Sequence, residues 1–267
     1  MNEIQADYIN KPIIPGIECV GEIANSSDSG FSVGQKIVAL MGGMSRSFNG
    51  SYAEYALLPT HHVFAVNTHL DWVGMAAVPE TWFTAWGSLF ECLQLKKEDI
   101  LLIRGATCAL GYASIQIAKM VGWVIATTHR ESKLLLISNT DAAIIDDGQL
   151  SGKIHVATKA LELVSVKTLS DTLNAVEKGG IVCNTGVLGN VYALNHFDPI
   201  KFIPNGVYLI GFFSNDPTQT VMNEIFSFID THKITPFIGA EYNFSDISTA
   251  LYDLDHHRVD GKIVVTI

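Results

Sequence analysis

Ile100-Leu101-Leu102-Ile103-Arg104-Gly105-Ala106-Thr107-Cys108-Ala109-Leu110-Gly111 decides the fold. It begins as an apolar, partly β-branched run of the kind that fills a buried strand. Small residues follow, and beyond them Leu110, Ala113, Ile117 and Val121 fall at roughly helical spacing, with Gly122 suited to the helix end. A second strand-like run, Val124-Ile125-Ala126-Thr127, comes next, and a third at Ala143-Ile144-Ile145. Three more stand at Leu161-Glu162-Leu163-Val164, Ile181-Val182-Cys183 and Val207-Tyr208-Leu209-Ile210. Helices are expected from Lys133 to Asn139 and from Leu169 to Lys178, the latter stopped by Gly179-Gly180. Apolar strands alternating with helices give a parallel sheet covered on both faces, so the fold class is α/β, doubly wound.

Residues 1–75 read differently. Glycines and prolines punctuate short strand-like pieces at Cys19–Ile23, Lys36–Leu40 and Tyr52–Ala56, with loop compositions at Ser26–Gly30 and Gly42–Ser45. The expected organisation is a mostly β unit over 1–75, a sheet-and-helix domain over 76–236, and a C-terminal segment over 237–267 that closes on a strand, Gly261-Lys262-Ile263-Val264-Val265. The 267 residues are 48% hydrophobic and 16% charged, which excludes a disordered chain. Mean hydropathy is high at +0.26, yet no apolar run reaches the roughly eighteen residues of a membrane-crossing helix, so no membrane partner is expected. Met1-Asn2-Glu3-Ile4-Gln5 lacks the layout of a secretory signal. With 17 basic against 27 acidic residues the net charge is −10, which argues against nucleic acid as a partner. Cys19, Cys92, Cys108 and Cys183 are widely spaced and form no CxxC pair, which fits a reducing, cytoplasmic setting.

The passage from first strand to first helix carries the chemistry. A dinucleotide site needs small residues there, so that backbone N–H groups can approach a pyrophosphate at the positive end of the helix. In that frame the three glycine positions are Ala106, Cys108 and Gly111, with Thr107, Ala109 and Leu110 between them. A tight structural turn is the competing reading, and the strand-to-helix placement favours the dinucleotide. The second strand ends in Thr127-Thr128-His129-Arg130-Glu131-Ser132-Lys133, with no acid at its tip to hold a ribose 2′-hydroxyl. Arg130 and Lys133 suit a 2′-phosphate instead, which points to NADP(H), although a solvated helix start accounts for the same charges. Ligands of such sheets bind beyond the carboxyl ends of the strands, so Thr185 and Gly186 after the fifth strand and Phe212 after the sixth are candidates for the nicotinamide half.

Four stretches resemble the medium-chain dehydrogenase/reductase superfamily, in its zinc-independent quinone oxidoreductase-like branch. They are Pro15-Gly16-Ile17-Glu18-Cys19-Val20-Gly21-Glu22-Ile23, Gly50-Ser51-Tyr52-Ala53-Glu54-Tyr55, the segment Gly105–Lys119, and Gly261-Lys262-Ile263-Val264. The resemblance implies a Rossmann domain beside a GroES-like catalytic domain, and hydride transfer from NADP(H) to a quinone or α,β-unsaturated carbonyl as small-molecule substrate. It also implies a homodimer through the edge strand Val207–Ile210, and it places Thr84 near the nicotinamide.

The chain departs from the family in three places. Ile17 stands where zinc-using relatives have histidine, and neither Glu80 nor Thr81 supplies their second ligand, so no metal is expected. Cys108 and Ala109 replace smaller residues; Cys108 reads first as a packing residue and second as a reactive thiol. The Pro-Gly-x-Glu turn begins only fourteen residues in, so the GroES-like unit is expected to be partial. That leaves a catalytically impaired NADPH-binding or oligomerising module as the alternative reading. No Ser-His-Asp order or paired-carboxylate pattern stands out, and no catalytic residue is assigned.

Overall fold

The computed structural model describes residues 12–27 and 29–267. The stretch Met1–Gln5 and Asp28 of the first loop lie outside the described residues. The chain forms two compact units: the described residues of Met1–Phe83 with Ser214–Arg258 and Ile263–Ile267, and Thr84–Phe213 with Val259–Lys262.

In the first unit, β1 (Glu18–Glu22) pairs antiparallel with β2 (Lys36–Leu40), and β2 with β3 (Val63–Ala65). Ile37, Ala39, Met44 and Val63 form its core, with Cys19, Ile23, Phe31, Phe48 and Leu58 packed around them. The strand expected over Tyr52–Ala56 does not form. Gly50 lies so close to the preceding turn that a Cβ there would stand 2.2 Å from the Gly16 oxygen. The segment directs its hydrogen bonds back to that turn: Gly50 N–H to Ile14 O at 2.7 Å, Tyr52 N–H to Pro15 O at 3.0 Å, and Ser51 Oγ to Glu18 O at 2.6 Å. Next come α1 (Trp72–Ala76), capped by Asp71, and α2 (Pro79–Trp86).

The second unit is built on β4 (Ile100–Arg104), α3 (Ala109–Ala118), β5 (Trp123–Thr128), β6 (Ala142–Ile145), β7 (Ala157–Glu162), α4 (Val166–Asn174), β8 (Val176–Asn184), α5 (Pro199–Phe202) and β9 (Tyr208–Gly211). Its six strands are all parallel, in the order β6-β5-β4-β7-β8-β9. Strand order reverses between β4 and β7, the place where doubly wound sheets open a crevice for ligands. Leu102, Ile125, Ala160 and Val182 from the sheet pack with Leu169 and Leu173 of α4 in a shared core.

Three local expectations are corrected. Lys133–Asn139 is not an α-helix, because the chain makes a 3-10 turn over Glu131–Ile137. The helix expected to end at Lys178 ends at Asn174, and Gly179-Gly180 lies inside β8, where the register against β7 shifts and Gly179 takes φ +95°. The run Leu161–Val164 leaves the sheet after Glu162, whose carboxylate accepts the Val164 N–H at 2.7 Å and turns the chain. β9 is an edge strand, with Tyr208 62% and Ile210 38% exposed.

The remaining elements, α6 (Gln219–His232), β10 (Ile238–Asn243), α7 (Ile247–Asp255) and β11 (Lys262–Thr266), follow, with β10 and β11 paired. Met222, Ile225, Phe226 and Ile229 give α6 a buried stripe at helical spacing. The Gln219 amide both donates to and accepts from the Ala65 backbone, at 2.8 and 3.0 Å, completing the end of β3.

Candidate functional site

The crevice begins at Gly105, whose φ of +84° turns the chain sharply off β4, a conformation that costs a residue with a Cβ. The loop is then fastened to the tip of β5: Ala106 N–H donates to Thr127 O at 2.9 Å, and Gly105 N–H to Thr127 Oγ1 at 3.4 Å. Cys108 caps α3, its Sγ accepting the Gly111 N–H at 3.3 Å. A Cβ on Gly111 would stand 2.4 Å from the Ala106 oxygen and 2.5 Å from its carbonyl carbon, so helix and loop can meet only over glycine. Thr107, Ala109 and Leu110 are half-buried around this contact. Burial pushes the Cys108 thiol up, against the pull of backbone N–H groups, so the group is a cap and packing residue and not a thiolate at neutral pH. The segment Val259–Lys262 belongs to this unit, and Gly261 bridges to Cys108.

Beyond the loop, Thr127 and Thr128 are buried at the end of β5. Arg130 is exposed; its N–H reaches Thr128 Oγ1 at 3.4 Å and its Nε donates to His129 Nε2 at 3.1 Å. Lys133 comes to the same tip, but its ammonium is ion-paired with Asp260.

The third part lies past β8. Thr185 Oγ1 is 3.0 Å from Ser88 Oγ and 3.3 Å from Cys183 Sγ. A Cβ on Gly186 would fall 2.1 Å from Leu163 O, and Leu188 Cδ1 stands against Gly105, so this loop adjoins the first one. Phe212 packs on Gly87, where a Cβ would meet its ring at 2.0 Å. Gly87 opens the π-helical turn Gly87–Cys92, a feature frequent at functional sites. Thr84 is buried one turn earlier, in α2.

Beneath the loop sits a charged network. Arg104, the last residue of β4, is fully buried; Nε and Nη2 hold Asp146 at 2.7 and 2.8 Å, and Nη1 holds Asp171 at 2.8 Å. Nη1 also donates to Thr172 Oγ1 at 3.0 Å, and Thr172 donates in turn to the buried Glu162. Burial raises the Glu162 carboxyl, partly offset by Thr172 and Arg104. Burial would raise Asp171 as well, but Ser151 Oγ, the N–H groups of Leu150 and Ser151, and the Arg104 charge together hold it below the usual range.

The structure thus brings together Ala106–Gly111, Thr127, Thr128, Arg130 and Lys133, and sets Thr185 and Gly186 on the adjoining loop. Sequence reasoning missed Ser88, Gly105, Arg104 and Asp260. Only Gly105 had a local signal, as the glycine that follows a strand directly.

This chain belongs to the medium-chain dehydrogenase/reductase superfamily: the alcohol dehydrogenase GroES-like domain model matches residues 2–68, and the zinc-binding dehydrogenase model matches residues 138–265. It is similar to quinone oxidoreductases. Identity to the Homo sapiens quinone oxidoreductase is 25%, over 97% of this chain and 82% of the relative. Identity to the Rattus norvegicus enzyme is 26% over the same shares, 97% and 82%. Among solved structures, E. coli K-12 YhdH with bound NADPH superposes with a TM-score of 0.84 at 20% identity, covering 97% of this chain and 84% of that one. Bacillus subtilis YhfP with NAD bound gives 0.83 at 22% identity, covering 97% and 82%. These likenesses establish the fold.

Proposed function

We propose that this chain is an NADPH-dependent, zinc-independent oxidoreductase that reduces a quinone or an α,β-unsaturated carbonyl. The observation that carries the reading is the Gly105–Gly111 loop, whose backbone is held to β5 and whose helix approaches over a glycine that no larger residue can replace. That shape accommodates a pyrophosphate against the first turn of α3. When bound, the cofactor supplies a hydride to an electron-poor acceptor. The chain's own part is positioning. The loop N–H groups of Thr107 to Leu110 face the phosphates, the Thr185–Ser88 hydroxyl pair and Thr84 offer polar contacts to the nicotinamide half, and Phe212 walls it. The exposed guanidinium of Arg130 favours the 2′-phosphate.

The donor set does not suit zinc. Ile17 cannot ligate, Glu18 Oε2 accepts the Glu80 N–H at 2.9 Å, and Glu80 Oε1 accepts from Ser214 Oγ at 3.1 Å. No group of three ligating side chains occurs among the described residues. The four cysteines are free thiols, in keeping with the cytoplasm, and no described helix is long and apolar enough to cross a membrane.

The test is to follow reduced-nicotinamide absorbance with a panel of quinones and enones. Turnover at ordinary enzyme rates is expected. Saturable binding with no turnover on any acceptor would leave the alternative, a non-catalytic binding or oligomerising module. Fluorescence titration tests the cofactor choice: Arg130→Ala should weaken NADPH by about 1.5–3 kcal/mol, the range for a charged hydrogen bond, and leave NADH unchanged. An equal loss for both cofactors counts against the phosphate assignment.

We also propose a homodimer through β9. Its exposed apolar residues line an unpaired sheet edge, which a twofold pairing covers. Light scattering should report a dimer for the natural chain and a monomer for Leu209→Pro, which loses a ladder donor. A natural chain that stays monomeric across micromolar concentrations defeats the proposal.

A further inference from the structure

We propose that Asp260 sets how strongly this chain distinguishes a phosphorylated from an unphosphorylated adenosine ribose, an inference that rests on the dinucleotide reading above. The tip of β5 has no acid of its own, yet a carboxylate reaches it from 127 positions further along the chain, as the ion-pair partner of Lys133. Two independent features place Asp260 at the loop. The short segment Val259–Lys262 is part of the dinucleotide unit, and the next residue, Gly261, bridges to Cys108, the cap of α3. The Asp260 charge also acts on Tyr112, in the first turn of the same helix, where burial, reinforced by Asp260, pushes the phenol up to about 12.

The consequence follows from charge. Lys133 and Asp260 are only 15% and 26% exposed, so solvent screens the pair weakly. The ammonium that would hold a 2′-phosphate is already neutralised, and a phosphate brought to it meets a carboxylate of like sign. A free 2′-hydroxyl, by contrast, can donate a hydrogen bond to that carboxylate, the role an acidic residue plays in NAD sites. Arg130, reaching the same tip from the solvent side, is then the principal grip on the phosphate. Asp260 narrows the preference that Arg130 creates, so the chain accepts both ribose forms.

The experiment measures binding alone. The full-length chain is titrated calorimetrically with adenosine 2′,5′-bisphosphate, AMP, NADPH and NADH. In Asp260→Asn the bisphosphate-to-AMP affinity ratio should rise at least about tenfold, equivalent to roughly 1.4 kcal/mol. Lys133→Met should change that ratio by less than about threefold in the natural background and abolish the gain in the Asp260→Asn background. Asp260→Ser serves as a second neutral variant should the amide perturb folding, which circular dichroism reports. A ratio unchanged on neutralising Asp260, with the ligands still bound, overturns this inference and leaves the dinucleotide reading standing. A roughly tenfold loss of bisphosphate affinity in Lys133→Met with Asp260 intact overturns it equally, since the lysine would then be available to phosphate. Failure of the natural chain to bind any of the four ligands overturns both.

Discussion

Arg104→Met is expected to lower folding stability by about 3–5 kcal/mol, as removal of one partner from a buried ion pair does elsewhere. The guanidinium is fully buried and makes charge-assisted contacts to Asp146 and Asp171 while donating to Thr172 and the Thr168 carbonyl. Methionine fills much of the same volume but leaves two carboxylates, and Glu162 behind Thr172, without the cation that compensates them. Urea denaturation of the two proteins at pH 7 measures the loss. Its pH dependence has a definite sign. Asp171 now lies below its ordinary range, so it contributes stability above its unfolded pKa that is lost as pH falls. Without Arg104, that depression shrinks to what Ser151 and the Leu150 and Ser151 N–H groups supply, and Glu162, already raised, moves further up. A raised carboxyl favours the folded state only while it is protonated. The deficit of Arg104→Met should therefore be widest near neutrality and narrow as pH drops through the carboxylate range, about 4. A deficit below about 1 kcal/mol, or one flat with pH, would show that the network is not a charge-compensated one.

The same residues show what could be read from the sequence and what could not. Leu102, Ile125, Ala160 and Val182 were legible because a sheet buried on both faces leaves a continuous apolar run, with no alternation to decode. The frame Ala106, Cys108, Gly111 was legible because it reflects a backbone demand, which the Gly111–Ala106 approach makes explicit. Tyr52–Ala56 has strand-forming composition, but the chain over Gly50–Tyr52 that leads into it is tied to Ile14, Pro15 and Glu18, contacts between segments some thirty-five residues apart. Gly179-Gly180 read as a helix stop because glycine marks a bulge and a helix end alike, and only the shift against β7 separates the two. Arg104 looked like a polar strand end. Its meaning lies in Asp146, Asp171 and Glu162, which come from three other places in the chain. Lys133 was found from its neighbours, whereas the residue that governs it, Asp260, was not, because no periodicity links positions so far apart.

Gly111→Ala should abolish most dinucleotide affinity, by about a hundredfold or 2.7 kcal/mol, while the rest of the unit stays folded. The new methyl would stand 2.4 Å from the Ala106 oxygen, 2.5 Å from its carbonyl carbon and 2.7 Å from its Cα. All three are backbone atoms of a loop already fastened to Thr127, so no flexible side chain can give way. Either α3 withdraws from the loop or the loop leaves β5. Both movements carry the N–H groups of Thr107 to Leu110 away from the place proposed for the phosphates at the start of α3. The stability cost should be about 1–3 kcal/mol, as for other overpacked contacts. Gly152→Ala is the matched control, because no atom lies within 4 Å of its added methyl and it sits in the same unit. It should leave binding intact and hold or raise stability, by up to about 1 kcal/mol, through the stiffer unfolded chain. Calorimetric titration with NADPH and NADH, paired with thermal melts, separates the two effects. Wild-type affinity in Gly111→Ala would remove the loop from the cofactor site, whatever happened to the melting temperature.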